Sequence, residues 1–171
     1  MSIRSIMCCL FLCFAGCVNP FAPALDDSSN TDQRQLDDLH TVDGVLQTVR
    51  KSYAYRDTTI YGKVLASDFV FVYRDYDKGA DVFWGRDEEI RSTYGLFENA
   101  QRLDLVWNNT TSVDGDTTQS LRATVVKGFN LTVTFNPSDV VRITGYANLT
   151  LQRSAPDAIW LITQWRDESN Y

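Results

Sequence analysis

From Leu121 to Phe135 the chain is apolar at nearly every second position: Leu121, Ala123 and Val125, then Phe129, Leu131, Val133 and Phe135. A period of two sustained this far is a long strand with one face turned to a core. Gly128 sits inside it, and a glycine in a strand marks a bulge or a bend. Such a strand belongs to a strongly curved sheet, and the concave side of that sheet has to be covered.

The neighbouring segments supply the partners. Leu103, Leu105 and Trp107 alternate ahead of it, and Asp114-Gly115-Asp116 has hairpin-turn chemistry. Asn136-Pro137-Ser138 turns the chain into a third strand with Val141, Ile143, Ala147, Leu149 and Leu151, where Gly145 is a second bend point. Ser154 to Asp157 turns again, and Ile159 to Arg166 closes a four-stranded antiparallel run. Upstream the period is helical. Leu39, Val42, Leu46, Val49 and Tyr53 share one face of a first helix, which Asp37 or Asp38 is expected to cap. Thr58 is expected to cap a short second helix carrying Ile60, Tyr61, Val64 and Leu65 inward. Phe69, Phe71 and Tyr73 alternate with Val70 and Val72 in a strand buried on both faces, and Asp81 to Trp84 is a short partner. A third helix starts at the acidic triplet Asp87, Glu88 and Glu89, suited to a positive helix end, with Ile90, Tyr94 and Phe97 as its inward face. The fold class is therefore α+β, with three helices packed on a strongly curved, mainly antiparallel sheet spanning 38–171.

Residues 1–16 hold one basic residue, Arg4, and an apolar run from Ile6 to Ala15. The run is too short to cross a bilayer as a helix. It has the basic start, apolar middle and small-residue exit of a secretory signal. Phe14-Ala15-Gly16-Cys17 resembles the lipobox of bacterial lipoproteins, with Phe14 where Leu is usual. The resemblance implies cleavage after Gly16 and lipid attachment at Cys17. The alternative is an ordinary signal peptide with an incidental cysteine. Cys8, Cys9 and Cys13 would leave with the leader, so the mature chain would keep Cys17 alone. That excludes a disulfide framework and any cysteine metal site. Residues 17–37, with Pro20, Pro23, Asp26, Asp27, Ser28 and Ser29, read as a flexible tether reaching roughly 25 Å. The expected location is a bacterial cell envelope, at the outer membrane facing the periplasm, held by lipid. Without Arg4 there are 15 Lys plus Arg against 22 Asp plus Glu. This balance opposes nucleic acid and anionic headgroups as partners.

Three stretches carry a family resemblance: Tyr61 to Val70, Trp84-Gly85-Arg86-Asp87-Glu88-Glu89-Ile90, and Ile159 to Asp167. With the element order they resemble the nuclear transport factor 2-like superfamily, nearest its SnoaL-like and ketosteroid isomerase-like branches. The resemblance covers nearly all of 38–168 and implies a cone around an apolar cavity, used for catalysis in some members and for binding in many. It also implies that a homodimer could form through the open sheet face. The isomerase base falls on Tyr73, the oxyanion Tyr on Val49, and the protonated Asp on or beside Asn148. The acid–base pair of that chemistry is therefore missing.

No other catalytic set replaces it. The one histidine, His40, sits at the start of the first helix. Asp75, Asp77 and Asp81, and likewise Asp114 and Asp116, read as turn residues rather than metal ligands. No catalytic residue, metal site or cofactor is expected. Asn109, Asn130 and Asn148 each open an N-x-Thr triplet, which in this setting is coincidence. Lys127 is in phase with the apolar face; a facing reversal at a Gly128 bulge is the expected reason, and a charge in the pocket is the alternative. The aromatic residues are numerous enough for either a core or a lined pocket. Tyr53, Tyr73, Trp84, Tyr94, Trp107, Phe135 and Trp160 are the pocket candidates. The expectation is a non-catalytic cone that binds a small apolar ligand or a partner protein. The alternative is an isomerase, dehydratase or cyclase acting in the cavity.

Overall fold

The computed structural model describes residues 36–115 and 118–170. Cys17, the leader, nearly all of the tether and Asp116 lie outside the described residues. The elements run α1 (Val42–Tyr55), α2 (Thr58–Val64), β1 (Leu65–Asp75), β2 (Ala80–Gly85), α3 (Arg86–Asn99), β3 (Arg102–Asp114), β4 (Arg122–Asn136), β5 (Asp139–Gln152) and β6 (Leu161–Asn170). The six strands form one sheet in the order β2-β1-β6-β5-β4-β3. Every pairing is antiparallel except β1 with β6, which is parallel. Three helices on a curved, mainly antiparallel sheet are what the periodicities predict.

The helix caps differ from expectation by a few residues. Thr41, not Asp37 or Asp38, caps α1, its Oγ1 accepting from the Gly44 N–H at 3.0 Å. Asp37 instead pairs with Lys51. Gly44 is obligatory, because a Cβ there would lie 1.9 Å from the Asp38 carbonyl oxygen. Asp57, not Thr58, caps α2, accepting from the N–H groups of Thr59 and Ile60. A carboxylate at this position satisfies two donors that the helix cannot. Arg56 ends α1 in the left-handed region at φ 53°. Its guanidinium donates to the Ala100 carbonyl at 2.6 Å, so one residue closes α1 and ties it to the end of α3.

The bulge expected at Gly128 is on the other strand. β4 keeps continuous register with β5 from Arg122 to Thr134, straight through Gly128. The extra residues lie in β3, between Trp107 and Ser112. Facing is therefore not reversed at Gly128, and Lys127 stays in phase and partly buried while its Nζ reaches Thr110 Oγ1 at 3.1 Å. Gly145 is required by proximity, since a Cβ would lie 2.4 Å from Ser169 Cα on β6.

The main core fills the space between α1, α2 and the sheet. Val45, Val49, Tyr61, Val64, Leu149, Leu151, Trp160 and Ile162 are fully buried there. The indole N–H of Trp107 donates to the Leu46 carbonyl at 2.8 Å and fastens α1 to β3. A smaller cluster of Phe97, Ala100, Leu103 and Val133 packs under the end of α3. No helix among the described residues is long and apolar enough to cross a membrane.

Candidate functional site

A cavity of about 240 Å³ opens between α1, α3 and the concave face of the sheet. Its apolar wall is Phe71 from β1, Leu105 from β3, Phe129 and Leu131 from β4, Ile143 from β5 and Trp165 from β6, with Leu96 from α3. Alternation explains the sheet wall, since each of these residues is in phase with the buried set of its own strand. The same alternation along β6 carries two polar groups inward beyond Trp165, namely Asp167 and Ser169. Ser169 Oγ donates to Asp167 Oδ2 at 2.8 Å.

The opposite wall is α3, and it is not the face expected. Its buried residues are Glu89, Thr93 and Phe97, and Ile90 packs against the main core. Tyr94 is 53% exposed and faces away. Glu89 is 5% exposed and accepts three hydrogen bonds. Tyr61 Oη donates to Oε1 at 2.7 Å, Trp84 Nε1 to Oε2 at 2.7 Å, and Thr93 Oγ1 to Oε1 at 3.1 Å. All three donors are neutral, and Glu89 makes no ion pair among the described residues. It sits in the first turn of α3, where the helix dipole favours negative charge.

Two tyrosines register these carboxylates. Burial, then the field of Glu89, pushes the Tyr61 hydroxyl well above its ordinary value. Burial, then Glu89 and Asp167 together, does the same to Tyr53, which lines the cavity. Both hydroxyls stay protonated at neutral pH. The cavity thus presents two carboxylates and a neutral phenol against an apolar surface.

Of the seven pocket candidates, the cavity wall includes two, Tyr53 and Trp84. Trp84 stacks on Phe71 with ring centroids 4.6 Å apart, and Tyr73 packs behind Trp84 at 5.5 Å. Trp107 lies one ring further back, against Phe129 and Trp165. Phe135 belongs with the small cluster under α3. Trp160, 1% exposed, is deep in the main core with the Arg153 guanidinium over its ring. Tyr94 points to the surface. These departures share a cause: ring count along the chain does not report which rings meet.

The sequence reading singled out neither of the two carboxyl side chains that line the cavity, Glu89 and Asp167. Asp167 was legible, because counting in twos from Trp165 reaches it. The other acidic candidates are surface groups. Asp75 pairs with Lys78, and Asp81 with Arg166 and Arg74, and these partners hold both carboxyls below their ordinary range. His40 is exposed beside Asp38, away from the cavity lining. Among the described residues no group of three or more His, Cys, Asp or Glu side chains is placed to hold a metal.

No sequence-family profile matches the chain, and neither does any curated protein. Many solved structures do. A candidate scytalone dehydratase from Novosphingobium aromaticivorans is similar at TM-score 0.64 and 10% identity, over 78% of this chain and 84% of that one. A conserved protein from Planctomyces limnophilus is similar at TM-score 0.60 and 14% identity, over 76% and 94%. A candidate dehydratase of the nuclear transport factor 2-like family from Streptomyces avermitilis is similar at TM-score 0.58 and 15% identity, over 78% and 96%. The chain has the nuclear transport factor 2-like fold, and at these identities the likeness is one of fold.

Proposed function

We propose that this protein is a lipid-anchored component of a bacterial cell envelope whose cone captures a small ligand in the cavity under α3. The observation that carries the binding half is the cavity itself. It has an apolar wall, and a few polar groups converge on it from two sides, which is how small-molecule sites are built. Its 240 Å³ lies under the roughly 300 Å³ where ligand pockets usually begin, so the ligand is small. The anchoring half rests on the lipobox-like run ending at Cys17.

Filling the cavity tests the binding. Ile143→Trp should abolish capture of small aromatic compounds, read by tryptophan fluorescence, while the chain still unfolds cooperatively. If wild type captures none of them, or the filled variant captures them equally well, the reading is wrong. Cys17→Ser should move the protein from the membrane fraction to the soluble one, and an unchanged distribution would remove the anchor.

A second reading, an enzyme of the isomerase or dehydratase kind, is favoured by one observation: two carboxylates face an apolar cavity. A carboxylate in such a setting is a usable general base. Glu89 already accepts three hydrogen bonds, so Asp167 would be the base. Turnover of an enolisable ketone, lost in Asp167→Asn, would put this reading ahead of plain binding.

A further inference from the structure

We propose a second binding site, for a neutral carbohydrate, on the face of the sheet turned away from the cavity. It is a depression of about 450 Å³ whose lining includes Asn108 and Asn109 of β3, Gly128 and Asn130 of β4, and Thr144 and Tyr146 of β5. That volume is within the usual range of ligand sites. The proposal is independent of the reading given to the cavity.

Register brings these residues together. Gly128 pairs with Tyr146, and Asn130 with Thr144, across β4 and β5. Residues directly opposite share a face of the sheet, and so do residues two apart on a strand. Leu131 and Ile143 are in the other phase and line the cavity. On the β3 side the bulge sets Asn108 and Asn109 opposite Gly128 alone, since Trp107 pairs with Phe129 and Thr110 with Lys127. Bulges re-aim side chains and recur beside active sites.

Gly128 is the residue that points to a ligand. A glycine inside a strand weakens it, and it marks a bulge, a bend, or a close approach by another backbone or a ligand. Here the extra residues belong to β3, and β4 keeps its register with β5 through Gly128. Its φ is not positive. A Cβ at Gly128 would meet no backbone: the nearest atoms are Asn108 Cβ at 3.4 Å and Tyr146 Cε1 at 3.7 Å, ordinary contact distances. Neither conformation nor packing therefore requires glycine. Its missing side chain leaves the floor of the depression open beside the Tyr146 ring.

The chemistry of the lining selects the ligand class. No Asp, Glu, Lys, Arg or His is among the described residues that line the depression. Asn108, Asn109 and Asn130 present amides, and Thr144 and Tyr146 present hydroxyls, groups that both donate and accept. All five are exposed. Asn130 Nδ2 donates to Asn108 Oδ1 at 3.4 Å, a long bond, and the side chains of Asn109, Thr144 and Tyr146 make no hydrogen bond among the described residues. A sugar answers both features. Its hydroxyl rim donates and accepts, and its C–H face lies on an aromatic ring. Tyr146 is 50% exposed and offers such a ring with a polar tip. An anion would find no cation in the lining. Glu168, opposite Tyr146 on β6, is met by Arg166 at 3.5 Å and supplies no positive charge. A purely apolar ligand would leave the amides unmet.

The test titrates the full chain calorimetrically with chitotriose, cellotriose and the anionic trigalacturonate. A neutral trisaccharide should bind, and trigalacturonate should bind at least about tenfold more weakly, the ratio that 1.4 kcal/mol represents. Tyr146→Ala should weaken the neutral sugar about tenfold, and Tyr146→Phe, which keeps the ring, should weaken it less. Gly128→Val should abolish binding by filling the floor. Should Gly128→Val fold poorly, the exposed Tyr146 decides. Ile143→Trp fills the cavity on the other face and should leave sugar binding unchanged. If neither neutral trisaccharide binds, or trigalacturonate binds as tightly, the proposal is wrong. Binding that survives Tyr146→Ala and Gly128→Val, or that is lost in Ile143→Trp, would place the sugar elsewhere and overturn the site. A wild-type dimer in sedimentation that Tyr146→Ala converts to monomer would make this face a seam between copies, and would also overturn it.

Discussion

The strands of this sheet are read differently at their two ends. At one end β5 and β6 bring Leu149, Leu151 and Ile162 against Val45 and Trp160, all fully buried. At the other end the same two strands carry Ile143, Asp167 and Ser169 to a cavity, with Glu89 across from them. The first end is close-packed and apolar. The second is polar: its buried carboxylate accepts three hydrogen bonds from neutral donors and makes no ion pair among the described residues. Packing at the first end stabilises the cone, and incomplete packing at the second leaves room for a ligand. Ground given up in one place is tolerable because the other is so complete.

The comparison can be broken most sharply at the closed end. Trp160→Ala should cost about 3–5 kcal/mol, the range for truncating a large buried ring. Ile143→Ala, beside a space that already exists, should cost clearly less. Urea denaturation measures both, and equal losses would mean that the two ends are packed alike.

A smaller effect is expected at the cavity end. Glu89→Ala strands the Tyr61 hydroxyl, which is buried, and the indole N–H of Trp84. Leaving a buried donor unmet costs about 1–3 kcal/mol. Tyr61→Phe removes the donor together with its bond and should cost less. Glu88, on the exposed side of the same turn, is the control. If Glu89→Ala and Glu88→Ala destabilise equally, the network around Glu89 does not hold this end together.

The smallest and most specific effect is alkaline. Tyr53 and Tyr61 ionise above their ordinary value of 10.0 in the folded chain, through burial first and the nearby carboxylate field second. Unfolding returns both to that value. Their contribution is therefore complete below pH 10 and is lost as pH rises from there toward the folded values. Each tyrosine can add at most about 1.4 kcal/mol of loss per pH unit. Denaturant midpoints measured above pH 10 should fall less steeply in Tyr53→Phe than in wild type. An unchanged slope would mean that neither burial nor the carboxylates Glu89 and Asp167 hold the Tyr53 hydroxyl protonated.

Much of the fold was legible because long elements repeat their period many times. The phase of Leu121 to Phe135 is sustained over a whole strand, and the β4–β5 turn at Pro137-Ser138 lies where its residue chemistry puts it. The caps were misplaced by one to four residues, because Asp37, Asp38, Thr41, Asp57 and Thr58 are all competent cap residues and local composition does not rank them. The bulge was assigned to Gly128 because glycine is the visible signal. The strand opposite, with no glycine between Trp107 and Ser112, took up the extra residues instead. The site was less legible. Tyr53 and Trp84 were named among its walls, and Asp167 could have been found by counting in twos.

Glu89 could not have been found that way. On α3 the line from Ile90 to Phe97 marks the middle of the buried face, with Tyr94 on one flank and Glu89 with Thr93 on the other. At about 100° per residue Tyr94 and Thr93 lie about 50° to either side of that line and Glu89 about 90° from it, and hydrophobicity chooses Tyr94. The choice went the other way because Tyr61 of α2 and Trp84 of β2, on two other elements, bring donors for a carboxylate to that flank. The sequence by itself determined the elements, their order and the curved sheet, since each depends on residues a few positions apart. Only the tertiary structure decided which flank of α3 turned inward and so placed a charge in the cavity, because that preference is set by hydrogen-bond partners on two other elements, Tyr61 of α2, 28 residues back, and Trp84 of β2.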